Sequence, residues 1–148
     1  MKRALASAGG LSLLAALLVA CAAEPSPAPA PERAPDRGWR TVSDSGRLAG
    51  HLEPESGAVE LNHFQNWVLE LRDTSGADVL GAAIAIAGGM PGHGHGLPTQ
   101  PRVTEELGGG RYRIEGVKLN MVGAWVIEVF VETPALRDRL RFDLAVDY

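Results

Sequence analysis

The sequence contains one cysteine, Cys21, so no internal disulfide can form. In an exported protein a lone thiol is a liability unless it is modified. The residues before it have the features of an export signal. Lys2 and Arg3 form a positive start, and residues 11–20 form an apolar segment of the length that a secretory signal requires. The sequence therefore predicts a signal peptide over residues 1–20.

The end of that segment, Leu18-Val-Ala-Cys21, resembles the lipobox of bacterial lipoproteins. In that family the cysteine is acylated on sulfur, the peptide is cut before it, and the new amino group is acylated too. The resemblance implies lipidation of Cys21, and several acyl chains on one residue give stable membrane anchoring. The alternative is a plain signal peptide cut nearby. Ala22 is not the aspartate that retains enteric lipoproteins at the inner membrane, which favours the outer membrane and its periplasmic face.

The sequence lacks a long hydrophobic run, since the apolar segment of residues 11–20 is too short for an ordinary membrane-spanning helix. It also lacks a basic stripe. Without Lys2 and Arg3 the chain keeps 12 basic residues against 18 acidic ones, a net charge of −6 with neutral histidines. An acidic surface argues against nucleic acid as a partner and against docking on anionic lipid headgroups. We therefore expect the protein to associate with the membrane through its lipid anchor and not through its surface charge.

Large apolar residues are missing from the segment after the cysteine. Residues 22–36 include five prolines and cannot bury enough surface to fold. Proline keeps such a segment extended, as a semi-rigid spacer. We therefore expect residues 21–36 to be a lipidated tether and residues 37–148 to form a single domain.

No segment of residues 37–148 shows a convincing helical period, and there is no internal repeat. The alternation of apolar and polar residues is typical of short strands. It is clearest around Trp67, over residues 125–131 and over residues 140–148. Residues 79–87 are apolar on both faces and predict a central or closely packed strand. About seven or eight strands with turns between them predict an all-β fold, an antiparallel sandwich of immunoglobulin-like type without its disulfide.

The most distinctive stretch is glycine- and proline-rich and contains Met90, His93 and His95. Imidazole and thioether groups suit a soft or borderline metal, copper before zinc. If the segment is extended, the two histidines lie on one side with Cα atoms about 6–7 Å apart. Met90 could then turn back through the Pro91-Gly92 bend to provide sulfur. The alternative is a structural turn with solvated histidines.

Three further residues have side chains that can bind a metal. Met121 is a fourth candidate if its strand ends beside the loop, although its alternation with Val117 and Leu119 favours a core position. His51 alternates with leucines and His63 begins a strand, so we expect both at the surface or rim and assign neither to the site.

The order of these motifs resembles the YtkA-like/FixH-type domain. The resemblance covers nearly all of residues 60–132, and its most specific part is Met90-Pro-Gly-His93-Gly-His95-Gly. The other matching motifs are Asn62-x-x-x-x-Trp67, Asp73-x-x-Gly76, Pro101-Arg-Val-Thr, Gly110-x-Tyr112 and Glu115-Gly-Val-Lys-Leu-Asn-Met121-x-Gly-x-Trp125.

The resemblance implies a small immunoglobulin-like sandwich of the bacterial envelope, associated with copper handling or cytochrome oxidase assembly. The expected partner is an envelope protein of that kind. Some relatives are labelled auxin-binding proteins. Relatives often have a histidine two residues before the strand tryptophan, where this chain has Gln65. A ligand supplied from that position would be weakened or moved here.

The sequence does not favour an enzyme. The only cysteine is expected to be acylated, and the serines of the domain lie in turn-like contexts without an evident base. A cupin would need a glutamate after a gap of three or four residues from His-x-His, and a later histidine, but those positions are Thr99 and Gln100 and no histidine follows His95. Two hypotheses remain: a tethered copper-binding module, and a non-catalytic interaction domain without a metal.

Overall fold

The computed structural model describes residues 38–147, and the predicted signal peptide, Cys21 and the tether lie outside them. Among the described residues no helix is long and apolar enough to cross a membrane. The strands are β1 Trp39–Val42, β2 Leu48–Pro54, β3 Gln65–Asp73, β4 Ala83–Met90, β5 His95–Gly96, β6 Arg102–Gly108, β7 Arg111–Val117, β8 Gly123–Thr133 and β9 Leu136–Val146. A 3-10 turn, Pro91–His93, lies between β4 and β5.

The strands form two antiparallel sheets. The first has the order β1-β2-β3-β7-β6 and the second has the order β5-β4-β8-β9. The predicted all-β sandwich is therefore confirmed. The additional strand, β5, has two residues and is too short to show any alternation in the sequence.

The core lies between the two sheets, and strand alternation explains which side chains fill it. In β8 the inward residues are buried and pack against the inward residues of β9, as the sequence predicts. They are Trp125, Ile127, Val129 and Val131 from β8, and Leu140, Phe142, Leu144 and Val146 from β9. Each fully buried side chain of this size stabilises the fold by about 1.5–3 kcal/mol relative to leaving it exposed.

The sequence predicts a central or closely packed strand over residues 79–87, and the structure places β4, Ala83–Met90, between β5 and β8. β4 pairs with β8 on one side, but on the other side its only ladder is with the two residues of β5. Ala83, Ala85 and Ala87 are exposed, and Ile84 and Ile86 are only half-buried. A run of alanine and isoleucine is compatible with burial on two faces and also with an uncharged edge, and the sequence alone does not separate them.

The turn after β3 forms as predicted at Asp73-Thr-Ser-Gly76. The Asp73 carboxylate accepts hydrogen bonds from the backbone N–H groups of Ser75 (2.8 Å) and Ala77 (3.0 Å). The Gly76 N–H closes the turn by donating to the Asp73 carbonyl at 3.0 Å. Aspartate favours this position because its side chain bonds its own backbone two residues on.

The β6–β7 hairpin is closed by Gly108-Gly-Gly110, and its last glycine touches a second strand. The Gly110 carbonyl accepts a hydrogen bond from the Leu71 N–H at 2.8 Å. A Cβ atom on Gly110 would lie 2.4 Å from the Leu71 carbonyl oxygen, and Gly110 has a φ of +70°. Gly109 has a similar φ of +63°, but no atom lies within 4 Å of its would-be Cβ.

We therefore expect Gly110→Ala to destabilise the protein by about 2–4 kcal/mol, because it combines left-handed strain with a backbone clash. Gly109→Ala is the matched control and should cost only about 1–2 kcal/mol, the strain alone. Urea unfolding followed by circular dichroism measures both. Equal losses of stability for the two variants would show that the backbone moves away from the clash between the new Cβ and the Leu71 carbonyl without an energetic cost.

Candidate functional site

The candidate site is built at one end of the sandwich, where β4 ends and β8 begins. Gly89 pairs with Val126 in the second sheet, so the loop after Met90 lies beside the first residues of β8. In the first sheet Gln65, at the start of β3, pairs with Val117, at the end of β7. The segment that joins β7 to β8 carries Met121 to the start of β8.

The loop that carries the histidines is a tight hairpin between β4 and β5. Met90 pairs with His95, and the Gly94 N–H closes the loop with hydrogen bonds to the carbonyls of Met90 (3.1 Å) and Pro91 (3.3 Å). Gly94 adopts the left-handed conformation, with φ 69° and ψ 23°, which glycine reaches without steric cost. The segment is therefore bent and not extended, with His93 ending the 3-10 turn and His95 beginning β5.

The bend nevertheless brings the two imidazoles together. The ring centroids of His93 and His95 are 5.9 Å apart with an angle of 50° between the planes. Both side chains are exposed. Two imidazoles that share one metal through bonds of about 2.0 Å have centroids no more than about 6.5 Å apart. The separation of the two ring centroids is thus compatible with one metal ion bound between the rings.

The backbone orients His95 further. Its Nδ1 lies 3.0 Å from the Gly96 carbonyl oxygen. A carbonyl can only accept, so this contact requires Nδ1 to carry the proton and leaves the Nε2 lone pair available. Metal-bound histidines in proteins commonly donate their second N–H to a carbonyl in this way.

Met90 is 1% exposed and belongs to the core. Because it is the direct cross-strand partner of His95, its side chain lies on the same face of the hairpin. Its methyl carbon lies 3.1 Å from the position that a Cβ on Gly123 would take. The thioether is therefore part of the packed layer on the side of the hairpin that carries His95.

Trp125 connects this hairpin to the segment before β8. Its ring meets the His95 ring edge-on, with centroids 5.9 Å apart. Its indole Nε1–H donates a hydrogen bond of 2.9 Å to the Met121 carbonyl. The sequence predicted an inward-facing Trp125 but not its contact with His95, because alternation reveals burial and not the neighbours at a strand end.

Met121 is 38% exposed, so the expectation that it lies in the core was wrong. β7 ends at Val117, and the alternation continues only to the buried Leu119 before the chain bends.

Of the four candidate ligands, the structure brings His93, His95 and Met90 together on one hairpin. It places Met121 on the neighbouring segment, linked to them through Trp125.

The remaining histidines lie elsewhere. His63 is exposed and its Nδ1 lies 3.0 Å from a Glu60 carboxylate oxygen, and His51 is half-buried on β2. Gln65 is buried, and its amide Nε2 donates to the Ala58 carbonyl at 3.1 Å. Gln65 thus stabilises the segment before β3, which gives it a structural role in this chain.

Tyr112 and Thr99 also stabilise the framework around the site. The Tyr112 hydroxyl donates to the Val79 carbonyl at 2.7 Å and accepts a hydrogen bond from the Ala82 N–H at 3.2 Å, holding the approach to β4. Burial raises the pKa of Tyr112, which keeps this hydroxyl protonated. The Thr99 hydroxyl donates to the Gly116 carbonyl at 2.7 Å and so fixes the segment between β5 and β6 to β7.

Within residues 38–147, no three side chains of His, Cys, Asp or Glu come together as a metal-binding group. Comparisons with curated proteins and with solved structures each found no match to the chain. A family model described as YtkA-like matches residues 47–130, a span that contains both histidines, Met90 and Met121. This match covers more than half of the sequence, and the chain belongs to the YtkA-like family.

Proposed function

We propose that this protein is a membrane-tethered envelope lipoprotein whose YtkA-like domain binds a copper ion through His93, His95 and the Met90 thioether. The observation that carries the proposal is the pair of exposed imidazoles with centroids 5.9 Å apart. A plain crossover loop has no need of two histidines, nor of a backbone carbonyl that leaves one Nε2 lone pair free.

The donor set decides which metal fits best. The described residues offer two imidazoles and sulfur, without a carboxylate or thiolate cluster. Mg²⁺ and Ca²⁺ prefer oxygen ligands, and a structural zinc site usually has four nitrogen or sulfur ligands. Thioether and imidazole together favour copper, and Cu(I) accepts low coordination numbers. The residues present therefore fit Cu(I) better than the other common ions.

The tether supports an envelope role. A positive start, an apolar segment over residues 11–20 and the Leu18-Val-Ala-Cys21 sequence are the features of a lipoprotein signal, and the proline-rich residues 22–36 provide a spacer. A copper site held close to a membrane suits the handling of copper or its delivery during oxidase assembly. Its partner would be an envelope protein that donates or receives the ion.

The test is a competition titration with Cu(I) on the chain from Ala22 onward, which omits the Cys21 thiol. We expect one ion per chain, bound more tightly than zinc. Met90→Leu should weaken binding by about tenfold or more, because it removes a ligand and changes little volume. Met121→Leu is the matched control and should leave the affinity nearly unchanged.

The reverse order, with Met121→Leu the more harmful, would assign the sulfur ligand to Met121. An affinity unaffected by either change would remove sulfur from the site. No Cu(I) binding by the unsubstituted chain would overturn the proposal and leave an interaction domain without a metal.

A further inference from the structure

The outer edge of β4 is open in its middle and covered at both ends. Before the strand, the Gly81 N–H donates to the Glu106 carboxylate at 3.1 Å, and the Ala82 N–H donates to the Tyr112 hydroxyl. After it, the Gly88 carbonyl accepts a hydrogen bond from Leu97 at 2.9 Å. Residues 83–87 have a ladder with β8 on one side, and no strand of the described chain is hydrogen-bonded to them on the other, although β6 of the first sheet passes near β4.

The ladder shows which groups point outward. The N–H and C=O of one residue point to the same side of an antiparallel strand, and the side alternates along it. The Gly88 carbonyl and the Ala82 N–H both point away from β8. The backbone groups of Ile84 and Ile86 therefore also point outward, and no other described residue bonds them there.

This edge lacks the usual protection against strand pairing. Natural sheets protect their edges with charged side chains, prolines or bulges. The edge strands β1, β6 and β9 all carry charged residues, whereas Ala83–Met90 carries none and pairs with β8 without a register shift. Phe130, which lies opposite Ala85 in β8, is 42% exposed and extends the apolar surface beside the edge.

The open segment is also self-complementary. Residues 83–87 read Ala-Ile-Ala-Ile-Ala, the same in both directions about Ala85. An antiparallel copy related by a two-fold axis at Ala85 places Ile84 opposite Ile86 of the second copy. These residues then exchange both of their N–H···O=C bonds, so every outward group of Ile84 and Ile86 is satisfied. A two-fold interface requires this kind of self-complementarity.

We propose that β4 pairs with β4 of a second copy of this chain, joining the two β5-β4-β8-β9 sheets into one continuous antiparallel sheet. The alanines meet on the outer face with the Phe130 rings on either side. The half-buried Ile84 and Ile86 gain cover from the second copy. The histidine hairpins lie at opposite ends of the assembly, so pairing leaves each one accessible.

Cysteine cross-linking tests the register of this pairing. Ala85 faces its own copy in a non-hydrogen-bonded pair, with Cα atoms about 4.5 Å apart, a separation that a disulfide can span. In the full chain carrying Cys21→Ser, Ala85→Cys should form a covalent dimer on mild oxidation that is lost on reduction. Ala83→Cys should not link to itself, since its copies are about 14 Å apart, but should link to Ala87→Cys in a mixture.

A charge substitution tests the same interface without a covalent bond. Ala85→Lys places like charges opposite each other at the two-fold axis, so sedimentation should show a monomer. Ala145→Lys, on the exposed face of β9, is the control and should remain dimeric. Circular dichroism verifies that both variants fold. A monomeric unsubstituted chain, a dimer that survives Ala85→Lys, or cross-linking of Ala145→Cys in place of Ala85→Cys would each overturn the proposal.

Discussion

Replacement of both His93 and His95 by alanine is expected to reduce Cu(I) affinity by more than about 100-fold and to leave the fold intact. Even a residue that only supports a metal ligand commonly changes affinity 10–100-fold, and here two ligands are removed. Both side chains are exposed, so their loss opens no core cavity. The measurement is the Cu(I) competition titration, with thermal unfolding of the metal-free chain recorded in parallel.

His63→Ala is the control for this double substitution. It removes an exposed imidazole paired with Glu60, outside the hairpin, and should not change Cu(I) affinity. If the double variant fails to fold, the histidines have a structural role and the hairpin serves as a crossover or docking surface. If it binds copper as before, any metal site of the protein lies elsewhere.

Trp125→Ala is expected to destabilise the protein by about 3–5 kcal/mol, the range for removing a buried aromatic side chain. The indole is 1% exposed and is among the largest fully buried side chains of the described chain. It also contacts the His95 ring and the Met121 carbonyl. The loss should appear in urea unfolding as a lower midpoint, and Cu(I) binding should weaken because His95 loses its supporting ring.

Trp125→Phe separates packing from hydrogen bonding. Phenylalanine keeps most of the buried ring but cannot donate to the Met121 carbonyl, so about 1 kcal/mol should be lost for the missing hydrogen bond. The phenylalanine ring is also smaller than the indole, so the unfilled volume lowers the stability further. A phenylalanine variant as unstable as the alanine variant would show that the Met121 contact, and not burial, dominates the contribution of Trp125.

The sequence predicted the strands that have one buried and one solvated face. In β8 and β9 the apolar positions alternate strictly, and both the strands and their inward residues were predicted correctly. The exposure of the β4 alanines was not predicted, because alanine is compatible with either burial or exposure. Its position depends on which strands pair with it, and pairing partners are not encoded in a local pattern.

The candidate site was predicted in composition but only partly in geometry. The spacing of His93 and His95 indicated a chelating pair, and the turn at Gly94 brings their rings together by a different backbone path from the extended one. Periodicity favoured a core position for Met121, and it gave no burial prediction for Met90. Met90 is buried at the strand end, whereas Met121 follows a bend at which the alternation stops.

The pairing of β4 with β8 has a consequence for the order of folding. β8 and β9 are adjacent in sequence and form a local hairpin. β4 pairs with a strand that is distant in sequence, so the pairing of Gly89 with Val126 requires the intervening chain to be ordered. Contacts between distant residues form slowly, because the intervening chain must be ordered first. The histidine hairpin is therefore expected to acquire its support from Trp125 late. A chain interrupted before residue 123 would contain both imidazoles without the strand that orients them.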